Sequence, residues 1–166
     1  AHETEGLELH EHVRIQFKWL HGFQFAGYYA ALEKGFYDDV GLDVELIERN
    51  PAINYLDVVI DGQAEYGVSD AGLILERAKG RPVTVIAQIF QHSPLVFVTL
   101  KDSGIISAYE LVDKKVMFDA ETHSGAPLVA MLLETLGSVD KVEMLPHSFG
   151  QSLDDLVEGR VDALSV

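Results

Sequence analysis

A chain of 166 residues, 48% hydrophobic and 23% charged, can bury one sizeable core or two small α/β lobes, but not two full-sized domains. Lys and Arg number 12 against 27 Asp and Glu, a formal charge of −15 that repels phosphate backbones and anionic lipid, so neither nucleic acid nor a membrane surface is expected as a partner. With Cys at 0, disulfides, thiolate catalysis and Cys-based metal sites are excluded, and the longest apolar runs, PLVFVTL and PLVAMLL, fall well short of the ~20 residues that cross a bilayer.

Residues 1–12 (AHETEGLELHEH) read as a polar tail opening on Ala1, a pattern compatible with cleavage of an exported precursor behind a small residue. His10 and His12 share one side of an extended segment there, but no third ligand follows nearby, so a solvated tail is expected and no metal site. Residues 13–20 (VRIQFKWL) alternate apolar and polar as a strand does. His21-Gly22 then turns the chain, and Phe25, Tyr28, Tyr29 and Leu32 recur at helical spacing until Gly35. A second strand over 43–48 leads through Asn50-Pro51 into a helix over 52–60, closed by Gly62. The unit repeats as a strand over 65–68, a turn at Ser69-Asp70, a helix over 71–79, Gly80 and a strand over 83–90.

After Gln91-His92-Ser93-Pro94 a second series begins: a β-rich run over 95–100, a short helix over 107–112 and a strand over 115–118. A helix over 126–136 closed by Gly137, a strand over 141–145, a helix over 151–157, Gly159 and a strand over 161–166 complete it. Strands alternating with helices of ~10 residues predict βαβ units and mostly parallel sheets. The expected class is α/β with two lobes, 13–92 and 93–166, joined by a crossover near 91–94. An internal echo supports two comparable halves: Ile60-Asp61-Gly62-Gln63-Ala64-Glu65 resembles Val157-Glu158-Gly159-Arg160-Val161-Asp162, each with a Gly where a helix turns left-handed to feed a strand.

None of the phosphate-cradling, zinc-protease or nucleophile-elbow motifs occurs, and no cofactor is expected. The segment WLHGFQFAGYY at 19–29 crowds aromatic rings around a His and a Gln at the end of the first strand, and in open α/β sheets ligands bind beyond the carboxyl ends of strands. Trp19 and Tyr28 are candidates to stack a flat ring, with His21 and Gln24 supplying hydrogen bonds, whereas Phe25 and Tyr29 read as core. Ser69 and Asp70 cap the following helix or face the cleft. The same geometry recurs at 119–125, where Pro127 marks a helix N-terminus; Glu121, Thr122, His123, Ser124 and Gly125 are candidates there, and Glu121 suits a ligand with donors. Gln91, at the crossover, completes the ligand-binding set.

The segments FQFAGYYAALEKGFYDDVGLDVELIE, GQAEYGVSDAG, AKGRPVTVIAQIFQHSP and LVDKKVMFD resemble the periplasmic solute-binding proteins of the thiamine-pyrimidine (NMT1/THI5-like) family, over about 13–166. The resemblance implies a type 2 periplasmic binding fold, an extracytoplasmic location, and a small pyrimidine-like thiamine precursor clamped between two lobes for delivery to the membrane subunits of an ABC importer. Similar segments also serve as input domains of membrane-bound histidine kinases or diguanylate cyclases, so a fused signalling module is the alternative partner. The family includes a fungal pyrimidine synthase with a Lys and a reactive His near the third strand; here that stretch reads VSDAGLI with neither, and its cysteine-rich motif is impossible, so no enzyme activity is expected. Glu121 falls where relatives carry a carboxylate that accepts hydrogen bonds from an aminopyrimidine. Family members continue past the equivalent of Val166, which implies a chain truncated at its C-terminus and an incomplete first lobe able to self-associate through exposed apolar surface.

Overall fold

A computed structural model describes residues 10–118, 125–147 and 152–166. The chain divides into two compact units, Ala1–Ser69 and Asp70–Val166. Among the described residues no helix is long and apolar enough to cross a membrane.

The first unit is built on β1 (Glu11–Gln16), β2 (Leu42–Ile47) and the short β3 (Tyr66–Gly67), joined by crossover helices α1 (Ala26–Glu33) and α2 (Tyr55–Ile60). All pairing is parallel and β1 is central: Val13 lies opposite Val44, Gln16 opposite Ile47, and Ile15 opposite Tyr66. A central parallel strand is covered on both faces. Gln16 is therefore only 3% exposed, although strict alternation groups it with Arg14 and Lys18. Phe17, just past β1, is fully buried and stacks on Phe25 with ring centroids 4.0 Å apart and planes 7° from parallel, so Phe25 is core as its spacing predicts. Asn54 caps α2 by accepting from the Leu56 N–H at 3.0 Å.

The second unit carries α3 (Leu73–Ala78), β4 (Phe97–Thr99), β5 (Lys115–Met117), α4 (Ala126–Leu136), β6 (Glu143–Leu145), α5 (Ser152–Val157) and β7 (Ala163–Ser165). Its sheet runs β4-β7-β5-β6, parallel except for the antiparallel β4·β7 pair. Leu128, Leu132 and Leu136, spaced four apart on α4, form one buried cluster with Val116, Phe118 and Ala163, while Met117 and Leu164, the alternating strand positions, join Leu156 of α5 in another. Both sides of this sheet are thus apolar and covered, as a mostly parallel sheet requires.

The internal echo is structural. Gly62 and Gly159 both adopt φ near 72°, a left-handed conformation that glycine reaches without steric cost, one turn past α2 and α5. Three residues on, Glu65 and Asp162 each bind a backbone N–H of the parallel neighbour: Glu65 Oε2 accepts the Arg14 N–H at 2.8 Å and Asp162 Oδ2 accepts the Lys115 N–H at 2.9 Å. Each also donates its own N–H to that residue's carbonyl, at 3.2 and 2.8 Å. One carboxylate clip therefore fastens the helix-to-strand return in each unit.

Two sequence expectations are corrected. The first strand stops at Gln16, not residue 20, so Trp19 and Leu20 lie in the bends that follow it. Residues 83–90 form no strand: Val85, Ile86, Ile89 and Phe90 are more than half exposed, and the Val83 N–H turns back to the Arg81 carbonyl. Alternation records which faces are apolar, but a strand exists only where a neighbour supplies the ladder. Joining neither sheet, this segment falls within the second unit, whereas the sequence reading counts it with the first lobe.

Candidate ligand-binding site

Beyond the carboxyl ends of β1 and β2 the first unit opens a cleft of about 210 Å³, walled by Gln16, Glu48, Asn50, Tyr55 and Gln63 with apolar support from Ile47 and Val58. Gln16 is the decisive side chain. Its amide nitrogen donates to the Phe17 carbonyl at 2.8 Å and, more weakly, to those of Ile47 at 3.4 Å and Glu48 at 3.3 Å. Three carbonyls on one side fix which end of the amide is nitrogen. Oε1 is left without a donor among the described residues, an acceptor on the cleft wall. The sheet thus ties its two strand ends together and presents a fixed carbonyl dipole at the rim.

Around this rim the bends after β1 bring aromatic rings. Trp19, 40% exposed, stacks against the Arg49 guanidinium at 5.4 Å, and buried Tyr55 holds the same guanidinium at 5.6 Å. The Tyr55 hydroxyl meets Ser69 Oγ at 3.4 Å, which places Ser69 beside the cleft wall. The His21 N–H donates to Glu48 Oε1 at 2.6 Å, and its ring Nδ1 pairs with the Tyr29 hydroxyl. Tyr28 packs edge-on against Phe17 at 5.4 Å, and burial, with a smaller push from Tyr37, raises its phenol pKa, so it stays a neutral donor. Gln24 is exposed on the turn next to Gly22.

In the second unit Asp70 Oδ1 accepts the Gly72 N–H at 2.9 Å, a local turn before α3. Gly125 is buried at the start of α4, its carbonyl accepting from Leu128 and Val129 at 3.0 Å, with Pro127 in the first turn. Gln91 is exposed. Glu121, Thr122, His123 and Ser124 lie outside the described residues. Among the described residues no group of three His, Asp or Glu could hold a metal ion.

Sequence reasoning placed Trp19, His21 and Ser69 at this strand edge but missed Gln16, Arg49 and Tyr55. Gln16 reads as the polar half of an alternating strand, Arg49 as loop and Tyr55 as an ordinary helix residue.

The family described as NMT1/THI5 like matches residues 22–166. The chain belongs to that family. A relative from Legionella pneumophila, named 4-amino-5-hydroxymethyl-2-methylpyrimidine phosphate synthase, is 26% identical over 128 residues, covering 76% of this chain and 40% of that protein. The formylaminopyrimidine-binding protein of Halalkalibacterium halodurans is 26% identical over 171 residues, covering 99% of this chain and 49% of that one. This NMT1/THI5-like chain therefore spans about half, or less, of the length of the curated relatives it matches. In structure it is similar to the periplasmic aliphatic sulphonate binding protein SsuA of Escherichia coli, with a TM-score of 0.61 and 19% identity over 94% of this chain and 54% of that one. Its fold is that of the type 2 periplasmic binding proteins of ABC transporters.

Proposed function

We propose that this chain is the ligand-binding part of an extracytoplasmic solute-binding protein that holds a small, pyrimidine-like thiamine precursor for the membrane subunits of an ABC importer. The observation that carries the reading is the orientation of Gln16. Its nitrogen is committed to three backbone carbonyls, so the cleft is offered an acceptor, matched to a ligand amino group, in a wall that also holds Tyr55. A 4-aminopyrimidine combines such a donor with a planar ring. The name of the Halalkalibacterium relative supports the same ligand class.

Binding is favoured over synthesis because the stretch around β3 and α3, VSDAGLI, offers no Lys or His to activate a carbonyl cofactor or to be consumed, and Ser69 and Asp70 are engaged in local hydrogen bonds there. Native mass spectrometry of the full-length protein purified without refolding tests the reading. An aminopyrimidine released on denaturation is the expected result; a ligand with no ring amino group would remove it.

A further inference from the structure

Beside Tyr55 of the cleft wall sits a guanidinium whose chemistry an aminopyrimidine ring leaves unused, that of Arg49. Arg14, Arg81 and Arg160 each lie within 4 Å of a carboxylate: Arg14 is 2.7 Å from Glu65, Arg81 is 3.6 Å from Glu76, and Arg160 is 2.5 Å from Asp155 and also pairs with Glu158. Arg49 is only partly exposed, yet it faces no carboxylate among the described residues, in a chain where acids outnumber bases 27 to 12. Its hydrogen bonding is almost empty. Nη1 makes one long bond to the Lys18 carbonyl at 3.3 Å, Nε is buried with no acceptor, and Nη2 has no acceptor among the described residues and is not buried.

Folded proteins leave few buried donors unpaired, and each exception needs a reason. Here the aromatic rings supply one. The Arg49 guanidinium lies over the Trp19 and Tyr55 rings, 5.4 and 5.6 Å from their centroids, cation–π contacts that use none of its N–H groups in conventional hydrogen bonds. Tyr55 and Gln16 both line the cleft, so the cation lies 5.6 Å from a ring of the wall that carries the Gln16 acceptor. A planar fork held beside two rings, with Nε and Nη2 unpaired among the described residues, is suited to two parallel bonds from an oxyanion.

We infer that Arg49, clamped between Trp19 and Tyr55, receives the anionic group of the ligand, a phosphate or a carboxylate, while Gln16 takes its ring amino group. The inference rests on the pyrimidine reading for the ring alone; the anion contact stands on Arg49. A nearly sealed Nε requires the half-exposed Trp19 ring to shift as the anion enters, so binding changes the indole environment.

Two measurements on the full-length protein test this. In the first, inorganic phosphate and, separately, acetate are titrated while the Arg49 Nε–H resonance is followed, assigned by its loss in Arg49→Lys. A saturable shift with either anion is expected, and no shift with either overturns the inference without reliance on a variant's folding. In the second, calorimetry compares an aminopyrimidine alcohol with its phosphate ester. The ester should bind at least tenfold more tightly to the wild type, and Arg49→Met, with an unchanged unfolding midpoint, should erase that preference. Equal binding by the wild type, or a preference that survives in Arg49→Met, refutes the assignment. A saturable Nε–H shift with inorganic phosphate that neither pyrimidine displaces leaves the anion site standing and removes the pyrimidine reading instead.

Discussion

Replacing Gln16 by Glu exchanges one nitrogen for one oxygen and leaves shape unchanged, so it isolates the hydrogen-bond direction at the heart of the cleft. The wild-type amide points its hydrogens at the carbonyls of Phe17, Ile47 and Glu48, 2.8 to 3.4 Å away, from a residue 3% exposed. A carboxylate there would meet three acceptors with no donor, and leaving a buried charge uncompensated in that way costs about 3–5 kcal/mol. The folded chain can limit the loss by keeping the new carboxyl protonated, so that its O–H donates to the Phe17 carbonyl. Holding a carboxyl neutral costs ~1.4 kcal/mol for each pH unit above its ordinary value near 4.3, or about 3–4 kcal/mol at pH 7. The sign follows: the folded-state pKa is raised, so the variant matches wild type below about pH 4.3 and loses stability steadily as pH rises above it. Urea unfolding of both proteins at a series of pH values from 4 to 8 reads this directly. A stability difference independent of pH, or one below ~0.5 kcal/mol at pH 7, would show that the amide does not point at those carbonyls.

Trp19→Ala should weaken ligand binding by about 1–3 kcal/mol in calorimetry, from lost apolar burial against a ring, with little change in the unfolding midpoint because Trp19 is 40% exposed. The side chain and backbone of Arg14 hold the Glu65 carboxyl down to about 2, below its ordinary 4.5. That stabilisation is complete above about pH 4.5 and is lost as pH falls through about 2, so Glu65→Gln should flatten the acid limb of a melting-temperature profile while leaving its slope above pH 5 unchanged.

Where local signals decide the structure, the sequence is readable. Helix α4 falls at Ala126–Leu136, as expected, because Pro127 fits only a first turn and Gly137, at φ 78°, only a left-handed stop. The echo around Gly62 and Gly159 is equally local, since each glycine and the carboxylate three residues later belong to one turn. Pairing is not local. The pattern at 83–90 matches a strand and finds no neighbour, and VRIQFKWL gives no sign that β1 becomes central, covered on both sides, and so buries Gln16. The cleft was hard to read for the same reason: Trp19 and His21 stand out as an aromatic cluster at a strand end, whereas Gln16 and Tyr55 acquire meaning only once β1, β2 and α2 bring them to one cleft, with Arg49 beside Tyr55.

The most direct test of the account is calorimetric titration of the full-length protein with a 4-aminopyrimidine thiamine precursor and with the same ring carrying hydrogen in place of the amino group. Saturable binding of the first, at least about tenfold weaker binding of the second, and disappearance of that difference in Gln16→Leu are predicted, as expected for one hydrogen bond to a fixed acceptor. Equal affinity of the wild type for both rings, or no binding of either, would contradict it.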